Sequence, residues 1–315
     1  MSGGFQQQVY NQPNAAVAGD FASTNPYFTY DAGPGGLVAG AAGLVIGLFA
    51  WTYPPLDPNG GAQIALNQGA GPVAGFVHRA QQGLNPTFLS NAGMTILKGL
   101  PVTLMTGGDF WVVNAGSVQA TDGLKAFANL NTGAVSFAAA GTFPNSASDS
   151  GGAVVNTTLT LTGGVQGNIL TVASVGAGTI YPGAVLNSNA VGQVTSQLTG
   201  TAGGAGTYLL TVGEQNVPAG TTIGGNYGVY TVGTATGTFT TGMQLSGGTT
   251  LPANTVLTQL ISGAGGNGST FATNSGTGAQ TSHALVGSTV VETKWYARSQ
   301  GLTGELVKIS DHPLG

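Results

Sequence analysis

Cysteine is absent and charge is scarce: the 315 residues hold 6 Lys plus Arg and 10 Asp plus Glu, a net charge of −4. Without cysteine there is no disulfide framework, no thiolate metal site and no thiol nucleophile, so stability rests on packing and strand pairing. Six cations cannot build a basic stripe along a phosphate backbone, and nucleic acid is not an expected partner. Long hydrophobic runs are missing as well. The most apolar stretch, "GGLVAGAAGLVIGLFAW" at 35–51, falls short of the about 20 residues of a membrane helix, and its glycines break helices. It reads as buried strands with close backbone approach, and no membrane is expected as a partner. The opening "MSGGFQQQVYNQPNAAVAGDF" has neither a basic nor an apolar leader region, so no Sec signal peptide is expected.

Glycine, at 56 residues, is the most abundant type, and 41% of the chain is hydrophobic. Such a chain can fold, but its solvent face has to be made of Ser, Thr, Asn, Gln and bare backbone, which suits a protein packed among neighbours. Residues 1–32 mix Gln, Asn, Pro and Ala with spaced aromatics and read as an extended arm that anchors on another surface or frays. From 33 to 148 short β-type runs recur at a spacing near ten, among them "AGFVHR", "PVTLM", "DFWVVNAG" and "AVSFAAA". "LKAFANL" (124–130) is compatible with a helical turn, yet no segment sustains a 3.6-residue stripe. The expected fold is all-β, a jelly-roll or β-sandwich-like core.

Past "FPNSASDSGG" the composition changes. Between Ser150 and Val291 the only charged residue besides His283 is Glu214. Within that block "NILTVASVGAGTIYPGAVL" (168–186) aligns with "GVYTVGTATGTFTTGMQL" (228–245), and "VTSQLTGTAGGAGTYLLT" (194–211) with "VLTQLISGAGGNGSTFAT" (256–273). Two related repeats, about 168–211 and 228–274, follow from this. The expected organisation is an arm at 1–32, a β core at 33–148 plus 284–315, and an inserted β domain at 149–283. The last strands, around "TKWYAR" and "GELVKIS", are expected to pair with the first half.

No catalytic pattern emerges. His78, His283 and His312 lie in no nucleophile elbow or zinc-binding helix motif, and the sparse carboxylates do not form a calcium loop. The Gly-rich stretches at 200–207 and 263–270 lack the Lys-Ser/Thr ending of a phosphate loop and recur at one phase of the repeat, which makes them loop tips. The expectation is a protein that is not an enzyme and uses no cofactor and no metal. The candidate interface residues are the arm aromatics Phe5, Tyr10, Phe21, Tyr27 and Phe28, the pair His78 and Arg79, Trp111, and Trp295, Tyr296 and Arg298, where cations adjoin aromatics. Tyr181, Tyr208, Tyr227 and Tyr230 of the repeats are either sugar contacts or core fillers, with packing favoured.

The phrases "GDFASTNPYFTYDAGPGGLVAGAAGLVIGLFAW", "GFVHRAQQGLN", "GLPVTLMTGGDFWVVNAG" and "ETKWYARSQGLTGELVKISDHPLG" resemble the structural cement, or head decoration, proteins of tailed bacteriophages over about 14–140 and 288–315. The resemblance implies a jelly-roll-like domain, made in the host cytoplasm, that binds the outer surface of the virion capsid as a homodimer or homotrimer and ties major capsid proteins together. The alternative is a receptor-binding or tail-fibre-type adhesin whose repeats touch host-surface glycans weakly.

Overall fold

The computed structural model describes residues 16–55, 61–79, 93–213 and 215–312. Phe5 and Tyr10 lie outside them. Every regular element among the described residues is a strand, and the fold is all-β and sandwich-like. No helix is long and apolar enough to cross a membrane among the described residues. The described residues fall into two compact units, one comprising the residues up to Pro55, Ala62–Pro144 and Val290 onward, the other built on Asn145–Thr289.

The first unit contains β1 (Phe28–Thr29), β2 (Leu37–Ala39), β3 (Leu44–Val45), β4 (Phe49–Tyr53), β5 (Gln63–Leu66), β6 (Gly75–Val77), β7 (Thr95–Ile96), β8 (Leu104–Gly107), β9 (Asp109–Val113), β10 (Lys125–Asn129) and β11 (Val135–Ala138). After the second unit the chain returns to it as β23 (Val290–Ala297) and β24 (Leu306–Ser310). One sheet runs β1-β8-β6-β4-β5-β2 and a second β11-β10-β23-β24-β9. The C-terminal strands thus pair with the first half, β23 with β10 and β24 with β9.

Alternation along the strands explains the packing. Phe49, Trp51, Phe76 and Met105 of the first sheet meet Phe110, Val112, Trp295, Val307 and Ile309 of the second in one core, while Ala50, Val77 and Leu104 point the other way into a core with Leu37, Leu44 and Ile96. A sheet buried on both faces needs strands apolar at consecutive positions. That is why 35–51 looked like a span and instead folds as β2, β3 and β4. Close approach is visible at Gly40, where an added Cβ would lie 2.3 Å from the Leu66 side chain. "LKAFANL" carries β10, and the helical alternative is not adopted, because Ala126 and Ala128 are needed on the core face of the sheet.

The second unit contains β12 (Ala147–Gly167), β13 (Ile169–Ala177), β14 (Val185–Ser188), β15 (Val191–Gly200), β16 (Gly206–Leu210), β17 (Gln215–Thr231), β18 (Ala235–Thr236), β19 (Gln244–Ser246), β20 (Leu257–Ser262), β21 (Thr270–Thr273) and β22 (Gln280–Ser288). Residues 145–148 and 284–289, expected with the core, belong here, because Ala147 of β12 pairs with Gly287 of β22.

Two small barrels result. The first closes as β12-β13-β16-β15-β14-β17 and back to β12. The second closes as β12-β17-β21-β20-β19-β22 and back to β12, with β19 joined to the start of β20 by Leu245 N–H to Thr255 O (2.7 Å) and Leu257 N–H to Met243 O (2.8 Å). Each barrel encloses its own apolar cluster, Leu161, Leu170, Leu186 and Tyr208 in one and Tyr230, Phe239, Leu245 and Phe271 in the other.

The two copies make the same bonds. Ile180 N–H donates to Gly203 O (3.0 Å) as Phe239 N–H donates to Gly265 O (2.9 Å), and Leu170 pairs with Tyr208 as Tyr230 pairs with Phe271. Val194, aligned with Val256 by sequence, occupies the place of Leu257: Gly183 N–H bonds Val194 O and Gly242 N–H bonds Leu257 O, both at 2.7 Å. The loop before β20 is longer than that before β15, and the ungapped alignment, which matches Gly203 with Gly265 at the loop tip, is one residue out of register in the strands on either side.

Candidate functional site

The site lies in the first unit, where the segment before β1 is laid against the edge of the second sheet. The order of that sheet leaves one side of β9 unpaired. Residues 19–22 fill it in strand fashion: Gly19 N–H donates to Trp111 O (2.8 Å), Trp111 N–H to Asp20 O (3.0 Å) and Ala22 N–H to Asp109 O (2.9 Å). The part of the arm from residue 16 on therefore belongs to its own domain as a strap, because an open strand edge bonds the nearest extended backbone.

A buried carboxylate fastens the strap. Asp109, whose side chain is fully enclosed, accepts hydrogen bonds from Ser23 Oγ (2.6 Å) and Asn25 Nδ2 (2.8 Å), and Lys308 Nζ stands 3.4 Å away. Burial alone raises the pKa of this carboxyl, but the bonds from Ser23, Ser310 and Asn25 and the charge of Lys308 outweigh it and hold the pKa below the ordinary value. Further points hold the strap on both sides. The His312 ring nitrogen Nε2 lies 3.0 Å from Pro26 O, Arg79 N–H donates to Gly19 O (3.0 Å), and the Arg79 guanidinium is 3.6 Å from Asp20.

What this presents to solvent is an aromatic ledge. The Phe21 ring lies 4.8 Å from Tyr27, 4.3 Å from His78 and 5.3 Å from the core residue Phe110. Phe21, Tyr27 and Phe28 remain 37%, 55% and 60% exposed. Burial against these rings lowers the pKa of His78, against the opposing pull of Asp20. Large aromatics fixed in place and left open to solvent are the composition of an interaction hot spot, since little side-chain entropy remains to be lost on contact. Four of the sequence-predicted residues, Phe21, Tyr27, His78 and Arg79, come together here, and Phe28 follows Tyr27 on the strap with its ring over Gly107.

The remaining candidates separate. Trp295 is 2% exposed, packs in the core shared by the two sheets and donates its indole N–H to Gly108 O (3.1 Å). It is a core residue, and the interface expectation for it is corrected: alternation along β23 turns Thr293, Trp295 and Ala297 inward. Tyr296 occupies the opposite face of β23, Arg298 follows the end of that strand, and Trp111 lies on the outer face of β9. Of the cations expected beside aromatics at an interface, Lys294 Nζ lies 4.9 Å from the Trp295 ring centroid and the Arg298 guanidinium 5.6 Å from that of Tyr296, both within the chain, and Lys125 Nζ stands 3.9 Å from the same Tyr296 ring. Of the repeat tyrosines, Tyr208, Tyr227 and Tyr230 are buried, so packing claims them. No group of three or more His, Cys, Asp or Glu side chains that could hold a metal ion occurs among the described residues.

The Asp109 clasp has no signature in the sequence. "GGDFW" reads as a turn before a strand, and Ser23 and Asn25 are more than 80 residues away along the chain.

A family model described as XM1 gp53 minor capsid protein matches residues 5–175, a little over half of the chain. The chain belongs to that family. It is thus a phage capsid-associated structural protein. The span matched by the XM1 gp53 minor capsid family takes in the strap, the ledge, Asp109 and the start of the first barrel, and leaves out β23, β24 and the second repeat. No curated protein and no solved structure matches the chain significantly.

Proposed function

We propose that this minor capsid protein is a decoration, or cement, protein that docks on the outer surface of the icosahedral head through the Phe21–Tyr27–Phe28 ledge and bridges major capsid proteins. The observation that carries the reading is the ledge itself: three exposed aromatics on a strap locked by a buried carboxylate whose Oδ2 accepts from Ser23 and Asn25. Loose aromatic side chains at a chain terminus need no such lock, whereas a preorganised anchor gains affinity from it. A stable contact buries on the order of 1,200–2,000 Å², and repetition over a closed shell makes many such contacts act together. In this reading the second unit, inserted in sequence between the parts of the docking unit, is an almost uncharged decoration of the head. The protein forms homo-oligomers on the shell, has no catalytic role and needs no cofactor.

Cryo-electron microscopy of purified virions tests this. Density for the chain on the head, with the ledge against the shell, is the expected result. Density confined to tail or fibre transfers the function to the repeats as a host-surface adhesin and removes the cement reading.

A further inference from the structure

The ligand of the β9 edge is specified by this chain itself, and from that we infer that the strap, residues 16–30, is exchanged between neighbouring copies on the shell, each strap lying on the β9 edge and β8 of the next molecule. The inference rests on the proposal that copies sit side by side on a capsid.

Three features lead to it. First, the strap is attached as an added strand. Its main-chain bonds to Asp109 and Trp111, the pairing of Phe28 with Gly107 and Thr29 with Met105, and the Ser23 and Asn25 bonds to Asp109 all recur unchanged when the strap comes from another copy. A swapped and an unswapped strap therefore have the same contact energy. Second, the connection to β2 is built as a hinge. Asp31, Gly33, Pro34 and Gly35 are exposed, and Gly33 and Gly36 have φ of 71° and 69° with open space where a Cβ would point. The bonds in it are local, Gly33 N–H to Asp31 Oδ1 (3.0 Å) and Gly36 N–H to Gly33 O (3.1 Å), apart from those made by Gln63, whose N–H donates to Gly36 O (2.9 Å) and whose Nε2 donates to Ala32 O (3.3 Å). Third, copies fixed beside one another on a shell meet at high effective concentration, which offsets the association entropy that disfavours exchange in dilute solution. Exchange links copies without any new surface, and it accounts for a strap held by a deeply buried clasp yet joined through an open, glycine-rich hinge.

The absence of cysteine makes a direct test available. Phe28 and Gly107 are antiparallel register partners, and such partners have Cα atoms about 4.5–5.5 Å apart, within disulfide reach. Chains carrying Phe28→Cys are co-produced with chains carrying Gly107→Cys, bound to heads at a concentration that saturates them despite the weaker docking expected of a Phe28 variant, oxidised and run on a non-reducing gel. The expected result is a covalent dimer of the two singly substituted chains. A double Phe28→Cys/Gly107→Cys chain that closes only on itself, together with no dimer from the mixture, overturns the inference. Thr29→Cys with Met105→Cys, the next register pair, serves if Gly107→Cys fails to fold. If the protein is not on heads at all, the decoration reading fails and takes exchange on the shell with it, an outcome distinct from head-bound protein that gives no dimer, which overturns exchange alone.

Discussion

Tyr230 donates its phenolic hydrogen to the carboxylate of Asp149 across 2.7 Å, both residues being buried in the second barrel. The same carboxylate accepts N–H bonds from Gly151 (2.9 Å), Gly233 (2.8 Å) and Thr234 (2.9 Å). One side chain thus holds a bend of β12 against the chain leaving β17. Asp149→Ala leaves four donors unmatched and is expected to cost about 3–5 kcal/mol, whereas Tyr230→Phe removes one bond and costs about 1–2 kcal/mol. Urea unfolding checks the order; an Asp149→Ala protein as stable as the parent would falsify the role assigned to the carboxylate.

Alkali probes the same pair. Burial, and then the bond to and the charge of Asp149, push the Tyr230 pKa well above its ordinary value, and burial raises Tyr208 and Tyr53 in the same direction. A raised folded pKa gives stability that is complete below the ordinary tyrosine pKa of about 10 and is lost as pH climbs above it, since the unfolded chain then releases the proton first. Stability is expected to be flat from neutrality to about pH 10 and to fall beyond. Tyrosinate absorbance at 295 nm followed beside circular dichroism checks it: part of the absorbance change should coincide with unfolding.

Acid probes the strap. The folded pKa of Asp109 is depressed, so its stabilisation is present above the ordinary carboxylate value of about 3.9 and disappears as pH falls through that value toward the folded one. Amide exchange at residues 19–25 is expected to be unchanged between neutrality and about pH 5, after correction for intrinsic rate, and to accelerate below pH 4. Asp109→Ala should bring at least a tenfold acceleration at neutral pH. Equal protection in the parent and in Asp109→Ala removes the clasp.

Docking and folding are separable by mutation. Phe28→Ala and Tyr27→Ala sit on exposed rings and are expected to change stability by less than about 0.5 kcal/mol while lowering affinity for undecorated heads at least tenfold, an effect of about 1.4 kcal/mol. Trp295→Ala should destabilise the first unit by about 3–5 kcal/mol through loss of a buried ring. Head-binding titrations beside thermal melts separate the two; Phe28→Ala binding like the parent moves the contact elsewhere.

The register of the repeats gives a further contrast. Leu257 is fully buried and Val256 is not, so Leu257→Ala should cost about 2–5 kcal/mol and Val256→Ala about 1 kcal/mol or less. A denaturant series on the two variants is sufficient, and equal losses would restore the alignment of Val194 with Val256.

That one-residue slip shows how far the sequence carried. Alternating and continuous apolar runs marked the strands of both units, and the Gly/Thr copies marked two modules, because burial imposes those patterns locally. Barrel closure was not legible. It depends on β17 pairing β12 along its length, and nothing in "QNVPAGTTIGGNYGVYT" says which strand it meets. The ledge was half legible: exposed aromatics such as Tyr27 and Phe28 stand out in a polar arm, but Trp295 looks identical in sequence and is buried. Only the pairing of β23 with β10 decides which face its ring takes.

The pairing of Ala147 with Gly287 brings the two ends of the second unit together as one stem. A pull applied at Asn145 and Thr289 opens that stem as a zipper, one hydrogen bond after another, whereas a pull applied along β12 and β17 must slide many bonds at once. The unit is therefore mechanically soft at its root and stiff along its length: a pull on its two ends parts the β12–β22 seam of the second barrel from the tethered end, while the long β12–β17 pairing shared by both barrels holds.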